Sequence, residues 1–411
     1  MVTESMKQAY ARLAVRRGVN VQKGQLLVVS AAVQDAAFVR LVVKEAYEAG
    51  AGQVVVKWND EALTKLDFTY QDKETLAEVP QWVHDRTEWE QKKGGCYLHI
   101  VSDTPGLLKE MDPQKLRARQ EAWSRAMEDL QHYTMANEGQ WCVLGMPAPD
   151  WAKIVFPDLP EEEAVEKLGD AIFAVSRVRE GEDPVAEWEE HDRLLGERAA
   201  KLNEYHFDAL HFKSGLGTDL TVKLVKKHIW AGGCGKTTGG VVFDPNIPTE
   251  EIFCMPERDG VDGIVYASKP LSYRGRVIKN FWFRFENGAV TDCGAEVEEA
   301  LLKEMLELDE GSKHLGEVAL VPYDSPISKS GILFFDTLYD ENASCHLALG
   351  DAYPENVEGG TDMSEEELKK EGANHSMQHN DFMFGTSDLT VDGILPDGTY
   401  VPVFRDGNFV F

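Results

Sequence analysis

Apolar residues recur along this chain in two rhythms, and the change between them divides it. Up to about residue 205, short unbroken apolar runs alternate with stretches in which every third or fourth residue is apolar. Gln25–Ser30 (QLLVVS) follows the turn-forming pair Lys23-Gly24 and reads as a strand. Phe38, Leu41, Val42 and Ala46 recur at helical spacing within Asp35–Ala49. Gly50-Ala51-Gly52 stops that helix, and Gln53–Trp58 (QVVVKW) reads as a second buried strand. Tyr97–Ser102 (YLHIVS) and Trp141–Met146 (WCVLGM) have the same character, with a helix over Pro113–Met135 between them. Unbroken apolar strands separated by helices predict an open, mostly parallel α/β sheet with helices on both faces.

An acidic helical region follows. Pro160 precedes Glu161, Glu162 and Glu163, and carboxylates favour the first turn of a helix. Pro184–Leu202, with Glu187, Glu189, Glu190 and Asp192, reads as a solvated helix. Beyond residue 206 the period falls towards two. Phe207–Lys213 and Asp219–Lys226 read as alternating strands. Asn287-Gly288 between Phe281–Glu286 and Ala289–Cys293 is a strong hairpin signal, and Pro396-Asp397-Gly398 joins another pair, Leu389–Leu395 and Thr399–Phe404. A helix is expected over Glu296–Leu308. The second half therefore predicts an α+β domain rich in antiparallel strands. The working division is an N-terminal α/β domain, 1–205, and a C-terminal domain, 206–411, with room for segments of the two halves to interleave.

Composition narrows the function. The 411 residues carry 42 Lys plus Arg against 71 Asp plus Glu, a net charge of −29. A nucleic-acid binder needs cationic surface, and so does a protein that docks on anionic lipid; neither is expected here. No run approaches the roughly 18 apolar residues of a membrane span. The first ten residues lack a basic stretch leading into an apolar one, so a cytoplasmic location is expected. The six cysteines form no C-x-x-C pair, which speaks for reduced thiols and against a structural zinc knuckle.

Several familiar motifs fail. Gly235-Lys236-Thr237 imitates a phosphate loop, but Trp230 occupies the position of the required first glycine; Gly232–Gly240 reads better as a glycine-rich loop beside a cavity. No G-x-G-x-x-G follows the first strand, and neither a G-x-S-x-G elbow nor an H-E-x-x-H helix occurs.

The C-terminal half holds a different signal. Glu250 and Glu251 follow a proline turn, Glu317 opens the strand Val318–Val321, and His346 and Tyr353 stand seven apart. His379 and Asp381 stand two apart, which on a strand puts both on one face. Carboxylates with imidazoles suit zinc, cobalt or manganese, and two such ions bridged by carboxylates make a hydrolytic clamp. Carboxylate-rich donors without paired cysteines favour catalysis over a closed structural site. A dinuclear phosphoesterase or amidohydrolase would use similar donors, and a non-catalytic metal-binding protein is the third reading.

Across nearly its whole length the chain resembles the thermophilic-type metalloaminopeptidases, the aminopeptidase T and aminopeptidase S family. The resemblance is carried by Tyr10-Ala-Arg-Leu-Ala-Val-Arg-Arg-Gly18, Asn20-Val-Gln-Lys-Gly-Gln25, Ala46-Tyr-Glu-Ala-Gly-Ala51, Asn246-Ile-Pro-Thr-Glu-Glu251, the His346/Tyr353 spacing and His379-Asn-Asp-Phe-Met383. It implies two divalent ions held by Glu251, Glu317, His346, Tyr353, His379 and Asp381. It also implies peptide substrates with a free N-terminus, and a homodimer with an internal cavity. Glu250, the spare carboxylate, is then the candidate general base, the two roles swapping if Glu250 is the ligand. Tyr353 would ligate a metal or donate to the oxyanion, and His375 is expected outside the ligand set.

Overall fold

A computed structural model describes residues 1–274 and 276–411. It divides into two compact units, each drawn from two stretches of chain: 1–189 with 234–248, and 190–233 with 249–411.

The first unit contains the expected parallel sheet. Its strand order is Gln53–Asn59, Leu26–Ala32, Cys96–Val101, Trp141–Gly145 and Asn246–Ile247, all parallel. The central strands are buried because helices cover them, which is why they read as unbroken apolar runs. The helix Ala36–Ala49 ends at Gly50, whose φ of 103° lets its N–H reach back to the carbonyls of Ala46 and Tyr47. The fifth strand comes from residues 246–247, so the chain does not divide at residue 205. Two residues are too short to leave an apolar pattern, and only the pairing of Asn246 with Val143 and Ile247 with Leu144 reveals them.

The second unit holds two antiparallel sheets. In the larger, the hairpin turn at Asn287 (φ 49°) and Gly288 (φ 84°) joins Arg276–Glu286 to Ala289–Val297, as the sequence signal requires. That second strand stays paired through Val297, so the helix expected from Glu296 starts only at Glu299 and ends at Leu306. The smaller sheet runs in the order Ala231–Gly232, Ile252–Cys254, Leu315–Leu320, His346–Gly350, His379–Met383. One of its faces, made of Ile252, Cys254, Val318, Leu320, Leu347, Leu349 and Phe382, enters the hydrophobic core. The helix Pro184–Tyr205 is not merely solvated. Leu195, Ala199 and Leu202 recur at helical spacing and join that same core.

Candidate metal centre

The other face of the smaller sheet is polar, and strand register explains how it is assembled. Residues directly opposite in an antiparallel pair share a face, as do residues two apart on a strand. Phe253 pairs with Ala319, Ala319 with His346, Glu317 with Ala348, and Ala348 with Asp381. His379 and Glu251 extend the same face by two residues from Asp381 and Phe253. One face therefore carries Glu251, Glu317, His346, His379 and Asp381 around the small residues Ala319 and Ala348. At the edge, the chain of Gly232 passes so close that a Cβ there would lie 2.5 Å from the Glu251 carbonyl oxygen. Gly232 thus serves a close backbone approach.

The five side chains form two groups that share Glu317. Glu251, Glu317 and His346 each bring a donor atom within 4.8 Å of the others, and so do Glu317, His379 and Asp381. Glu317 directs one oxygen to each group: Oε1 lies 3.3 Å from His346 Nε2, and Oε2 lies 3.7 Å from His379 Nε2. His346 Nε2 is 3.0 Å from Glu251 Oε2, and His379 Nε2 is 3.3 Å from Asp381 Oδ1. Two ligands about 2.1 Å from one tetrahedral ion sit roughly 3.4 Å apart, the range in which these separations fall.

The imidazoles are turned for ligation. His346 Nδ1 donates to the Ser344 carbonyl at 3.2 Å, and His379 Nδ1 donates to the Asp351 carbonyl at 2.7 Å. A carbonyl can only accept, so Nδ1 keeps its proton, and Nε2 faces the carboxylates with a lone pair when the ring is neutral and ligates a metal, or with a proton when it does not. Glu251 Oε2 is buried and accepts no hydrogen bond from any described residue, despite its closeness to His346. Facing lone pairs repel unless a proton or a cation lies between them. The donor set therefore fits divalent cations.

A fourth carboxylate, Glu341, which no motif marks, belongs to this neighbourhood. Burial holds the Glu341 carboxyl well above its ordinary range, and the charges of Asp381 and Glu251 push it further. Its only sequence signal is the polar run Asp340-Glu341-Asn342 inside an otherwise apolar segment. Burial likewise raises Glu317, against the pull of His346. Burial alone would lower both histidines. The carboxylates overcome it, holding His346 well above the usual imidazole range and His379 at about 10, the latter chiefly through Asp381. Asp381 is lowered, because His379 outweighs its burial. Among the described residues, no Lys or Arg forms an ion pair with Glu251, Glu317, Glu341 or Asp381.

Tyr353 packs near the site, its ring 4.8 Å from that of His379 at a tilt and 6.0 Å from that of Phe253 edge to face. Burial and the charges of Glu317 and Asp381 hold its phenol far above the ordinary range. Glu250 points elsewhere. Its carboxylate is 3.7 Å from His191 Nε2, which itself donates to the Thr249 carbonyl at 2.8 Å. His375 is half-exposed and lies in neither donor group; its Nδ1 is 3.0 Å from Asp351 Oδ1.

Known proteins with related sequences are consistent across the whole length. The family model described as thermophilic metalloprotease (M29) matches residues 3–409. Aminopeptidase AmpS of Bacillus subtilis is 49% identical over 402 residues, covering 98% of both chains. Aminopeptidase 2 of Geobacillus stearothermophilus is 44% identical over 402 residues, covering 98% of this chain and 97% of its own. The solved structure of wild-type AmpT from Thermus thermophilus superposes with a TM-score of 0.93 at 40% identity, covering 100% of both chains.

Proposed function

The chain belongs to the thermophilic metalloprotease (M29) family and is a metal-dependent aminopeptidase; within that activity, we propose that one amino acid at a time is released from the free N-terminus of a peptide at a two-metal centre. The observation that carries the two-metal reading is the division of Glu317 between two donor groups, one oxygen to each. Glu251, Glu317 and His346 would hold one ion, and Glu317, His379 and Asp381 the other. Zinc, cobalt or manganese suits such donors. When bound, the ions supply Lewis acidity and a water acidic enough to ionise near neutral pH.

The remaining work falls to the chain. Glu341 is the carboxylate we assign to moving the proton from the attacking water to the leaving amine. Its raised affinity for a proton is what a general base needs if it is later to act as the acid. This replaces Glu250, whose side chain faces His191. Tyr353, whose ring lies 4.8 Å from that of His379, would ligate a metal or donate a hydrogen bond from its hydroxyl to the oxyanion that develops on the scissile carbonyl. The surplus of carboxylates gives the substrate's α-ammonium a partner. We further propose a homodimer in a reducing cytoplasm, the latter supported by Cys96, Cys142, Cys254 and Cys345, which are buried as thiols.

Leucyl-p-nitroanilide is the test substrate. Activity is expected to vanish after chelation and return with Zn²⁺, Co²⁺ or Mn²⁺, and N-acetylation of the substrate is expected to abolish turnover. Full activity in protein shown by elemental analysis to be metal-free, or faster turnover of p-nitrophenyl phosphate, would overturn the reading. Light scattering on the eluting protein decides the dimer.

A further inference from the structure

Asn342 is fully buried at 0 % exposure and touches the segments that carry two of the site's carboxylates. Its Oδ1 accepts the N–H of Glu250 at 2.7 Å. Its Nδ2 donates to the Leu338 carbonyl at 3.0 Å and lies 3.4 Å from Glu341 Oε1. The backbone N–H of Glu250 can only donate and the Leu338 carbonyl can only accept, so the amide has one permitted orientation. That orientation turns the NH₂ towards Glu341. Ser325 Oγ, in turn, donates to the Asn342 carbonyl at 3.2 Å and secures the same turn from outside.

The two segments joined in this way are far apart in sequence. Glu250 and Glu251 enter the strand Ile252–Cys254, whereas Glu341 opens the short turn Glu341–Ala343, which no strand pairing holds. Register fixes Glu251 against Glu317 and His346. Nothing comparable in the sheet fixes Glu341. A proton carrier has to stay within a fraction of an ångström of its working position, and a loosely held carboxylate in a crowd of like charges swings away from them.

We propose that Asn342 is a positioning residue of the two-metal site, its amide holding the Glu341 carboxylate at a fixed distance from the Glu250-Glu251 backbone. The proposal rests on the two-metal aminopeptidase reading. It assigns Asn342 no contact with substrate or metal; it acts through the two glutamates.

Asn342→Asp and Asn342→Ala separate this role from simple packing. The Asp variant keeps an acceptor for the Glu250 N–H but turns a carboxylate oxygen on Glu341 and on the Leu338 carbonyl. The Ala variant removes both links. Ser325→Ala is the control, since it loosens the same turn and leaves the amide intact. Metal-free proteins are compared by circular dichroism, then titrated calorimetrically with Zn²⁺, and kcat and KM are measured on leucyl-p-nitroanilide. Both Asn342 variants are expected to lose kcat about 10–100-fold with little change in KM, and Asn342→Ala, which leaves the Glu250 N–H beside the ligand Glu251 without its acceptor, to bind Zn²⁺ more weakly by a similar factor. Ser325→Ala is expected to bind Zn²⁺ like the unaltered protein.

Asn342 variants that match the unaltered protein, or that lose no more than Ser325→Ala, would overturn the proposal. If neither variant folds, a zinc-loaded crystal structure of the unaltered chain decides. The amide must then lie within hydrogen-bond reach of both Glu250 N and the Glu341 carboxylate, and an amide turned away from either refutes it. Should the unaltered protein bind Zn²⁺ but fail to cleave the anilide, the aminopeptidase reading falls alone, because the Zn²⁺ affinities still judge Asn342.

Discussion

Glu90 in the first unit and Glu317 in the second are both buried glutamates, at 0 % and 4 % exposure, yet their surroundings differ in kind. Glu90 accepts from Lys57 Nζ at 2.6 Å and from Arg86 Nε at 3.1 Å, so the chain supplies the countercharge itself. Glu317 has only imidazoles and other carboxylates around it. A buried anion without a countercharge costs several kcal/mol and is retained only if something else neutralises it. The first arrangement is complete as folded. The second draws its countercharge from protons held on His346 and His379, or from metal cations in their place. The contrast separates a structural buried charge from a functional one without appeal to any motif.

Neutralising each glutamate in turn should have opposite consequences for metal and for stability. Glu317→Gln removes the charge shared by both donor groups. Metal content is expected to fall in both sites and kcat/KM by about 10³-fold or more, the several kcal/mol that metal electrostatics contribute to such a transition state. Plasma emission analysis alongside kinetics checks it; a fully loaded, active Glu317→Gln protein would refute the shared-ligand geometry.

Within the site the same logic grades the other carboxylates. Glu341→Gln is expected to lower kcat about 10²–10⁴-fold, the usual share of a general acid–base group. Glu250→Gln is expected to keep its metal and most of its kcat, while Glu251→Gln loses occupancy. The reverse pattern, with Glu250→Gln crippled and Glu341→Gln active, returns the base to Glu250.

Glu90→Gln should do the opposite of Glu317→Gln. Lys57 and Arg86 would lose their partner. Both reach solvent, so the loss is put at about 2–3 kcal/mol, below the full cost of an orphaned buried charge. Urea unfolding of the first unit is expected to shift to a lower midpoint with metal content and kcat unchanged. Altered metal content would mean the two regions are not energetically separate.

The two regions also differ in how openly the sequence declares them. The parallel sheet is legible because each element is local: an apolar strand, an amphipathic helix and a glycine in the left-handed region at Gly50. The hairpin at Asn287-Gly288 is legible for the same reason. His379 and Asp381 are legible as a same-face pair because the side-chain period of a strand is two. Glu341 was not. Its place depends on a turn folding back against strands nearly a hundred residues earlier, and no spacing rule encodes that. The strand Asn246–Ile247 escaped because its partner, not its composition, makes it a strand. The buried face of Pro184–Tyr205 was present as Leu195, Ala199 and Leu202, but the acidic residues between them obscured it.

A third kind of buried titratable group tests the comparison from the other side: one that is neither countercharged nor metal-binding, and is simply kept neutral. His228 is 4 % exposed, and its Nδ1 donates to the Val225 carbonyl at 2.8 Å. Its Nε2 is buried and has no hydrogen-bond partner among the described residues. Its ring stacks on His206 at 4.5 Å, so protonation would bury an uncompensated cation against a second imidazole. Burial lowers its pKa to about 4, the Val225 carbonyl opposes in part, and the effects of His206 (lowering) and Asp208 (raising) are smaller. Between about pH 6.5 and 4 the unfolded chain binds the proton and the folded chain does not, so stability rises with pH across that window. The contribution is fully present above 6.5 and is lost as pH falls, by about 2–3 kcal/mol at pH 4.5. His228→Phe removes the titration. Its metal-free unfolding free energy, compared with that of the unaltered chain at pH 7.5 and pH 4.5, is expected to close by that amount at the lower pH. An unchanged gap would show that His228 is charged in the folded protein, and that the second unit finds a countercharge for it after all.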